Sequence, residues 1–489
     1  MAKLSPKRAA IPQLPGLKLI GRGKVRDSYV LEGGKILQVA TDAISIFDFV
    51  LNATVPLKGV ILTAMSVFWF KKMEEYGIKT HLVAYGAEID EHLPEHLRGN
   101  ADLQSRALVV KNLQMVPNVE FIVRNCLTGS ALGPYAETGM VCGHAIVPGL
   151  EDGDLLPCLL DTPSTKADEG HDEHRRADEV RRLYHEQTYT ALKIFQIARE
   201  YALSRGIVLA DTKFEFALDG TWADEAITPD SSRFWSEDEW RKSRAKKDGR
   251  KAPTAFDKQF VRAWGIAQRI NKLDPKNSAD INAVHTIEVP DRVIAKTAQI
   301  YRYIFWRLTG HTIERYLENT FNVSVPFPQK TVAIVCGSES DLPMVKDVLA
   351  LYGSNKPVVD VHVMSCHRNP VEVFNFAKDG CGGADVVIGI GGKALALPGM
   401  IDAIARAHGH DIPVIGVALG ELGSASLEAA RLSIEEVPGA PLVIDEFNNS
   451  AYMLEDGLMD ALDRVLYGEL PPSPARTEKP VQMNVWSNE

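Results

Sequence analysis

The chain has 489 residues, enough for more than one domain with its own core. Hydrophobic residues at 45% and charged residues at 24% make a globular composition, with 54 basic against 64 acidic side chains. The resulting net charge of −10 excludes a global basic field for nucleic acid or an anionic membrane, so any phosphate site has to be built locally.

Residues 17–30 pair apolar strands around a Gly21-Arg22-Gly23-Lys24 turn. Glycines let backbone come close to phosphate oxygens while Lys24 and Arg26 supply charge, although a plain hairpin has the same pattern. It is neither a Walker loop nor a dinucleotide fingerprint, since both need a helix after the glycines. A turn at residues 32–35 leads into a strand over 36–40 and then the run from Asp42 to Asp48. Lys58-Gly59 precedes an amphipathic helix over 60–76, whose Phe68, Trp69 and Phe70 read as core. Residues 121–130 (FIVRNCLTGS) read as a buried strand ending in small and polar residues. Arg124 in that apolar run needs an anion, either a substrate phosphate or carboxylate or an internal salt bridge. Residues 162–173, dense in hydroxyls and charge, form a loop before a long helix over 178–204 capped by Gly206.

That helix delivers the chain into residues 206–235, GIVLADTKFEFALDGTWADEAITPDSSRFW. Residues 207–218 read as a strand, Asp219-Gly220 as a two-residue hairpin turn, and 221–226 as the return strand. This register sets Leu218 opposite Thr221 and therefore Glu215 opposite Asp224. Two opposed carboxylates need something positive between them, and hard oxygen ligands suit a Mg²⁺ that also holds phosphates. Lys213 shares their face, and Asp230 and Arg233 add an anion and a cation beyond it. A solvated hairpin with scattered charges is the bland alternative. The charged stretch 236–253 reads as solvated surface, residues 290–315 as helix, and Pro326 and Pro328 as the end of the first domain.

After Pro328 short apolar runs alternate with helices, which predicts a parallel sheet covered on both faces with strands at 331–336, 358–364, 384–390 and 413–419. Ligands bind such sheets at the carboxyl ends of the strands. The first strand ends in Gly337-Ser338-Glu339-Ser340-Asp341 at a helix start, an anion site. The second ends in Ser365-Cys366-His367-Arg368, and the third in a glycine-rich loop from Gly389 to Met400. The six cysteines form no CxxC pair, which reads as reduced thiols. The opening MAKLSPKRAA lacks a signal-peptide core and no run of about 18 apolar residues occurs, so a cytoplasmic protein with no membrane partner is expected.

The motifs carry two resemblances. GKVRDSY, the DxISxFD run, KGxxLTxxSxFWF, the segment 209–235 and FDKQF resemble, in order, phosphoribosylaminoimidazole-succinocarboxamide (SAICAR) synthetase over nearly all of residues 15–320. That resemblance implies an α+β ATP-binding fold over residues 1–325, with ATP and Mg²⁺ as cofactors. Lys24, Arg26, Lys213 and Glu215 would bind ATP, and Glu215 and Asp224 would hold the metal. Arg124, Ser130, Ser164, Lys166, Asp172, Asp230 and Arg233 would form the substrate site, with Lys213 and Asp230 also catalytic. GSxSD, SxHRxP and the GxGG…LPGM loop resemble phosphoribosylaminoimidazole carboxylase of the mutase-like bacterial type. This implies a flavodoxin-like αβα domain over residues 330–470, with Ser338, Ser340, Asp341, Ser365 and Arg368 on the ribotide and His367 transferring a proton. Cys366 stands where that family has alanine, and residues 393–397 read KALAL where it has a histidine and one residue fewer.

Together the resemblances imply a bifunctional enzyme of purine synthesis acting on aminoimidazole ribotides, L-aspartate, ATP, and CO₂ or bicarbonate. The carboxylase family's octameric cores imply a homo-oligomer, possibly an octamer, and residues 471–489 read as an extended or disordered tail. Two rival readings stand: a synthetase whose C-terminal domain only assembles the oligomer or binds a nucleotide, and a small-molecule kinase.

Overall fold

The structure, a computed structural model, describes residues 14–467 and 470 apart from 166–172, 247–248, 254, 257, 325–329, 353–357, 439–440 and 446–448. Lys166, Asp172 and the expected tail at 471–489 lie outside the described residues. The chain divides into two compact units, Met1–Pro326 and Phe327–Glu489.

Period-two alternation builds the first sheet. Tyr29 and Leu31 of strand Arg26–Leu31, Leu37 and Val39 of Lys35–Ala40, and Val109 of Ala107–Lys111 are buried together on one face. Lys18–Arg22 and Leu82–Tyr85 complete this five-stranded sheet at its two edges. Helix Lys58–Glu74 is buried almost all round, as its apolar composition requires. Its start comes so close to strand Lys35–Ala40 that a Cβ on Gly59 would lie 2.8 Å from the Ala40 carbonyl oxygen. That approach drives the side chain of Lys58 into the interior, where it is fully buried.

A second sheet supports the other side of the site. Phe121–Cys126 lies between Leu155–Asp161 and Ile207–Phe216, and the last of these also pairs with Ser232–Ser236. The registers place Asp211 directly opposite Arg124 on one neighbour and Arg233 on the other.

The hairpin differs from the expected register by one residue. Glu215 faces Ala223 and Phe216 faces Trp222, while Ala217 N–H donates to the Thr221 carbonyl at 2.9 Å. The connection is therefore Leu218-Asp219-Gly220, with Gly220 at φ 81°, a three-residue turn ending in a left-handed glycine. Asp224 escapes the consequence of that slip, which would turn its side chain to the opposite face. It sits at φ 60°, where the return strand Trp222–Ala223 has already ended, and its carboxylate swings to Arg26 at 2.9 Å.

Two other expectations are corrected. The long helix breaks at Tyr184 (φ −136°, ψ 56°) into Ala177–Leu183 and His185–Ser204. The charged stretch after 236 is not simply solvated, because helix Glu237–Arg244 docks through Arg244 on Asp154 at 2.5 Å and Trp240 Nε1 on the Gly153 carbonyl at 2.9 Å.

In the second unit five parallel strands run in the order Val358–Val363, Thr331–Cys336, Val386–Gly392, Val414–Leu419 and Tyr452–Met453. This is the expected doubly covered parallel sheet, with one short edge strand that the sequence pattern does not announce. Helices Pro370–Lys378 and Leu397–Ala407 bury Val373, Ala377, Ile401 and Ala405 against Ala333, Val335 and Val387. Glycines set the thickness of these layers. A Cβ on Gly389 would lie 2.8 Å from Pro398, and one on Gly416 2.6 Å from Ile434. Among the described residues no helix is long and apolar enough to cross a membrane.

Candidate active sites

The first site gathers around one guanidinium. Arg26, on the strand after the glycine turn, reaches Asp224 at 2.9 Å and Glu225 at 3.6 Å, with Glu215 and Asp230 in its field. Burial alone would lower its pKa, but these carboxylates outweigh burial and hold it above the ordinary value. Glu225 moves up too: burial is the main cause, Asp230 and Asp224 add to it, and Arg26 opposes. The pocket thus concentrates negative charge on hard oxygen donors. Among the described residues no three His, Cys, Asp or Glu side chains form a metal-holding group. A divalent ion on Glu215 and Asp224 would need its shell completed by water and phosphate oxygens, which is the habit of Mg²⁺. The donor chemistry therefore fits that ion.

Asp230 lies at the far side of the cluster. It accepts from the buried Lys58 ammonium at 2.7 Å and from the Tyr301 hydroxyl. Burial pushes its pKa up, but Lys58 and Lys258 outweigh that and the carboxyl lies well below the usual range. Lys213, on the strand beside Glu215, is held by Glu120 at 2.8 Å. Its burial favours the neutral amine, yet Glu120, with Glu215 and Glu225 beyond, raises the pKa overall. Lys24 at the glycine turn pairs with Asp48 at 2.5 Å.

Arg124 has the internal partner that the sequence left open. Asp211 accepts from Arg124 Nη1 and, at 2.5 Å, from Arg233 Nη1. Arg124 also donates to Ser130 Oγ and Thr162 Oγ1, each at 2.9 Å. One carboxylate is thus shared by two guanidiniums. Ser164 Oγ lies 3.4 Å from Glu120 Oε2, and its backbone bridges to His174, whose Nε2 lies 3.3 Å from Ser130 Oγ. Sequence reasoning missed Lys58, Glu120, Asp211, Glu225, Lys258 and Tyr301. Lys58 and Asp211 carried a usable signal, a charge inside an apolar run.

In the second unit Ser338 caps the short turn Glu339–Asp341, and the Asp341 carboxylate accepts from Ser338 N–H at 3.0 Å. Ser340 Oγ lies 3.0 Å from Ser338 Oγ, and Arg368 donates to the Gly337 carbonyl, so the first two strand ends meet. Burial pushes the Asp341 carboxyl up against hydrogen bonds from Ser338 and Ser340 and the charge of Arg368. Ser365 Oγ accepts from His367 N–H at 3.3 Å, and the His367 ring is exposed. At the third strand end Lys393 takes a left-handed conformation (φ 60°), with its N–H on Ser426 Oγ at 3.2 Å.

The family model described as SAICAR synthetase matches residues 19–276. The chain belongs to the SAICAR synthetase family. Relatives in it include phosphoribosylaminoimidazole-succinocarboxamide synthases from Pelobacter propionicus, 42% identical over 60% of this chain and 96% of that protein, and Streptomyces coelicolor, 44% identical over 61% and 96%. The SAICAR synthase of Saccharomyces cerevisiae, solved in complex with SAICAR, is 33% identical with a TM-score of 0.53, covering 61% of this chain and 97% of that one. Beyond the SAICAR synthetase region, residues 331–456 match the AIR carboxylase model.

Proposed function

We propose that the chain carries neighbouring steps of de novo purine biosynthesis. The C-terminal unit forms carboxyaminoimidazole ribotide, and the N-terminal unit couples it to L-aspartate with ATP to give SAICAR. The observation that carries this reading is the pair of family matches, SAICAR synthetase over 19–276 and AIR carboxylase over 331–456, in one chain. It also favours two activities over a synthetase with an inert appendage.

In the ligase, the ribotide carboxylate attacks the γ-phosphorus of ATP and ADP leaves; aspartate's amine then attacks the acyl carbon and phosphate departs. Mg²⁺ held by Glu215 and Asp224 would neutralise charge on the transferring phosphoryl group. Lys24, Arg26 and Lys213 would add fixed positive charge along the phosphates. Arg124, Ser130 and Arg233 are assigned to the ribotide phosphate, and their meeting around Asp211, with Arg124 on Ser130 Oγ, supports treating them as one group. Ser164, Lys166 and Asp172 remain candidates of the substrate loop, and Asp230 would act on the substrate beside them. In the carboxylase, His367 moves the proton displaced by carbon–carbon bond formation, while Ser338, Ser340, Asp341, Ser365 and Arg368 hold the ribotide. A cytoplasmic homo-oligomer, with an octameric core around residues 330–470, completes the reading.

The test supplies aminoimidazole ribotide, bicarbonate, aspartate and MgATP to the wild type and to His367→Asn. Wild type should form SAICAR from aminoimidazole ribotide, and the variant only when carboxyaminoimidazole ribotide is supplied. If the wild type uses neither aminoimidazole ribotide nor its N-carboxylated isomer, the C-terminal assignment is wrong.

A further inference from the structure

The backbone fixes His174 beside the first site. Glu120 and Ser164 exchange both of their backbone hydrogen bonds, at 3.0 and 3.1 Å, and Ser164 in turn bridges antiparallel to His174. On either side of that bridge Thr165 N–H donates to the Glu173 carbonyl and Arg175 N–H to the Pro163 carbonyl, each at 2.8 Å. The half-buried His174 ring thereby meets Ser130, with Nε2 3.3 Å from Oγ. Ser130 is fixed from its own side. Arg124 donates to the Thr128 carbonyl at 3.2 Å and to Ser130 Oγ at 2.9 Å, Thr128 Oγ1 donates to Asp152 at 2.8 Å, and Gly129 between them is left-handed (φ 60°) beneath the Arg233 guanidinium. Ser130 itself is exposed, so its hydroxyl is open to a ligand where two guanidiniums and an imidazole converge.

A serine hydroxyl has one proton and two lone pairs. Arg124 can only donate, so it takes one lone pair of Oγ. Burial, and then the charge of Arg124, pulls the pKa of His174 below its ordinary value, so the ring is neutral near pH 7 and Nε2 either donates or accepts. If Nε2 accepts, the serine proton is spent on the ring. If Nε2–H donates, it fills the second lone pair and the serine proton is directed outward. A phosphate oxygen, which needs a donor, is served only by the second arrangement.

We propose that His174 is a positioning residue for the ribotide phosphate: its Nε2–H donates to Ser130 Oγ and so commits the serine proton to a phosphate oxygen. A change of tautomer exchanges one ring proton through solvent, with no net uptake. This inference rests on the assignment of Arg124, Ser130 and Arg233 to the ribotide.

The test is a double-mutant cycle in the full-length chain, with KM for carboxyaminoimidazole ribotide, ATP and aspartate measured in wild type, His174→Phe, Ser130→Ala and the double variant. Loss of one neutral hydrogen bond predicts a rise of roughly 2- to 12-fold in KM for the ribotide in His174→Phe, with KM for ATP and aspartate level. His174→Gln, whose amide can donate from the place of Nε2, should recover part of that rise. In the Ser130→Ala background His174→Phe should add nothing, because the proton it directs is gone. His174→Ala takes the place of the phenylalanine variant if the latter does not fold. An unchanged KM for the ribotide in His174→Phe, or the same rise in both backgrounds, overturns the inference, since a ring that merely braces the loop would act equally with or without the hydroxyl. A Ser130→Ala variant with wild-type KM for the ribotide instead refutes the assignment of Ser130 to the ribotide, and failure of the wild type to consume carboxyaminoimidazole ribotide refutes the ligase reading.

Discussion

Asp211→Asn preserves the shape of a side chain wedged between two guanidiniums and removes only its charge. Arg124 is 2% exposed and Asp211 5%, so the variant leaves a buried cation without its anion, a change that costs about 3–5 kcal/mol. Arg124 keeps Thr162 Oγ1 and Ser130 Oγ at 2.9 Å and the Thr128 carbonyl at 3.2 Å. Those bonds set the loss near the lower end, about 3 kcal/mol, or roughly a 150-fold shift in the folding equilibrium of the N-terminal unit. Urea titration followed by tryptophan emission reads that unit selectively, because six of the seven tryptophans (69, 222, 235, 240, 264 and 306) precede the division at 326. Added inorganic phosphate should restore part of the loss by supplying the missing negative charge. A loss below about 1 kcal/mol, insensitive to phosphate, would show that the hydroxyls alone satisfy Arg124 and would refute the bridging-charge argument.

Three further outcomes are expected. Burial holds the His81 imidazole neutral down to about pH 3, whereas the unfolded chain titrates near 6.5, so its stabilisation is complete above about 6.5 and fades at about 1.4 kcal/mol per unit as pH falls. His81→Phe, which keeps the packing 5.2 Å from the Phe70 ring, should therefore lose about 2 kcal/mol less than wild type between pH 6.5 and 5; equal pH dependence in urea titrations would contradict this. Lys58→Met strips the ammonium from Asp230, whose depressed pKa contributes stability above the unfolded value near 3.9 and loses it as pH falls through the folded value. The variant should be about 3–5 kcal/mol less stable at pH 7, with the deficit shrinking below about pH 4; a deficit constant across that range would exclude the ion pair as its cause. Gly129 sits at φ 60° with Arg233 Nη2 only 2.6 Å from where a Cβ would stand. Gly129→Ala adds about 1 kcal/mol of backbone strain and displaces that guanidinium, so KM for the ribotide should rise while KM for ATP stays level, and steady-state kinetics decide it.

What was legible in the sequence follows from the range of the interactions. The C-terminal strands are continuous apolar runs bounded by turns, and Thr331–Cys336 falls on the expected residues. The edge strand Tyr452–Met453 has only two residues, too few for any periodicity to show. The hairpin failed for a specific reason. Asp219-Gly220 satisfies a two-residue turn as well as the last two positions of a three-residue one, and composition does not distinguish them. Glu215 and Asp224 still flank Arg26 because a left-handed residue at 224 replaces strand pairing, something no alternation pattern carries. Arg124 was recognisable as a cation needing an anion, but Asp211 lies 87 positions away and only the strand register joins them.

The glycines beneath the C-terminal helices have a consequence for variation in this chain. At Gly389 and Gly416 the helix above rests against bare backbone, leaving no room even for a methyl group. Saturation mutagenesis scored by growth would mark those positions as intolerant as His367 or Ser338, though they stand beneath packed helices rather than at the crevice. Intolerance across the middle of the sheet would then record the closeness of two layers, and intolerance at the strand ends would record chemistry. Scoring the same library for protein abundance as well as growth would separate the two, since only the first class should lose the protein itself.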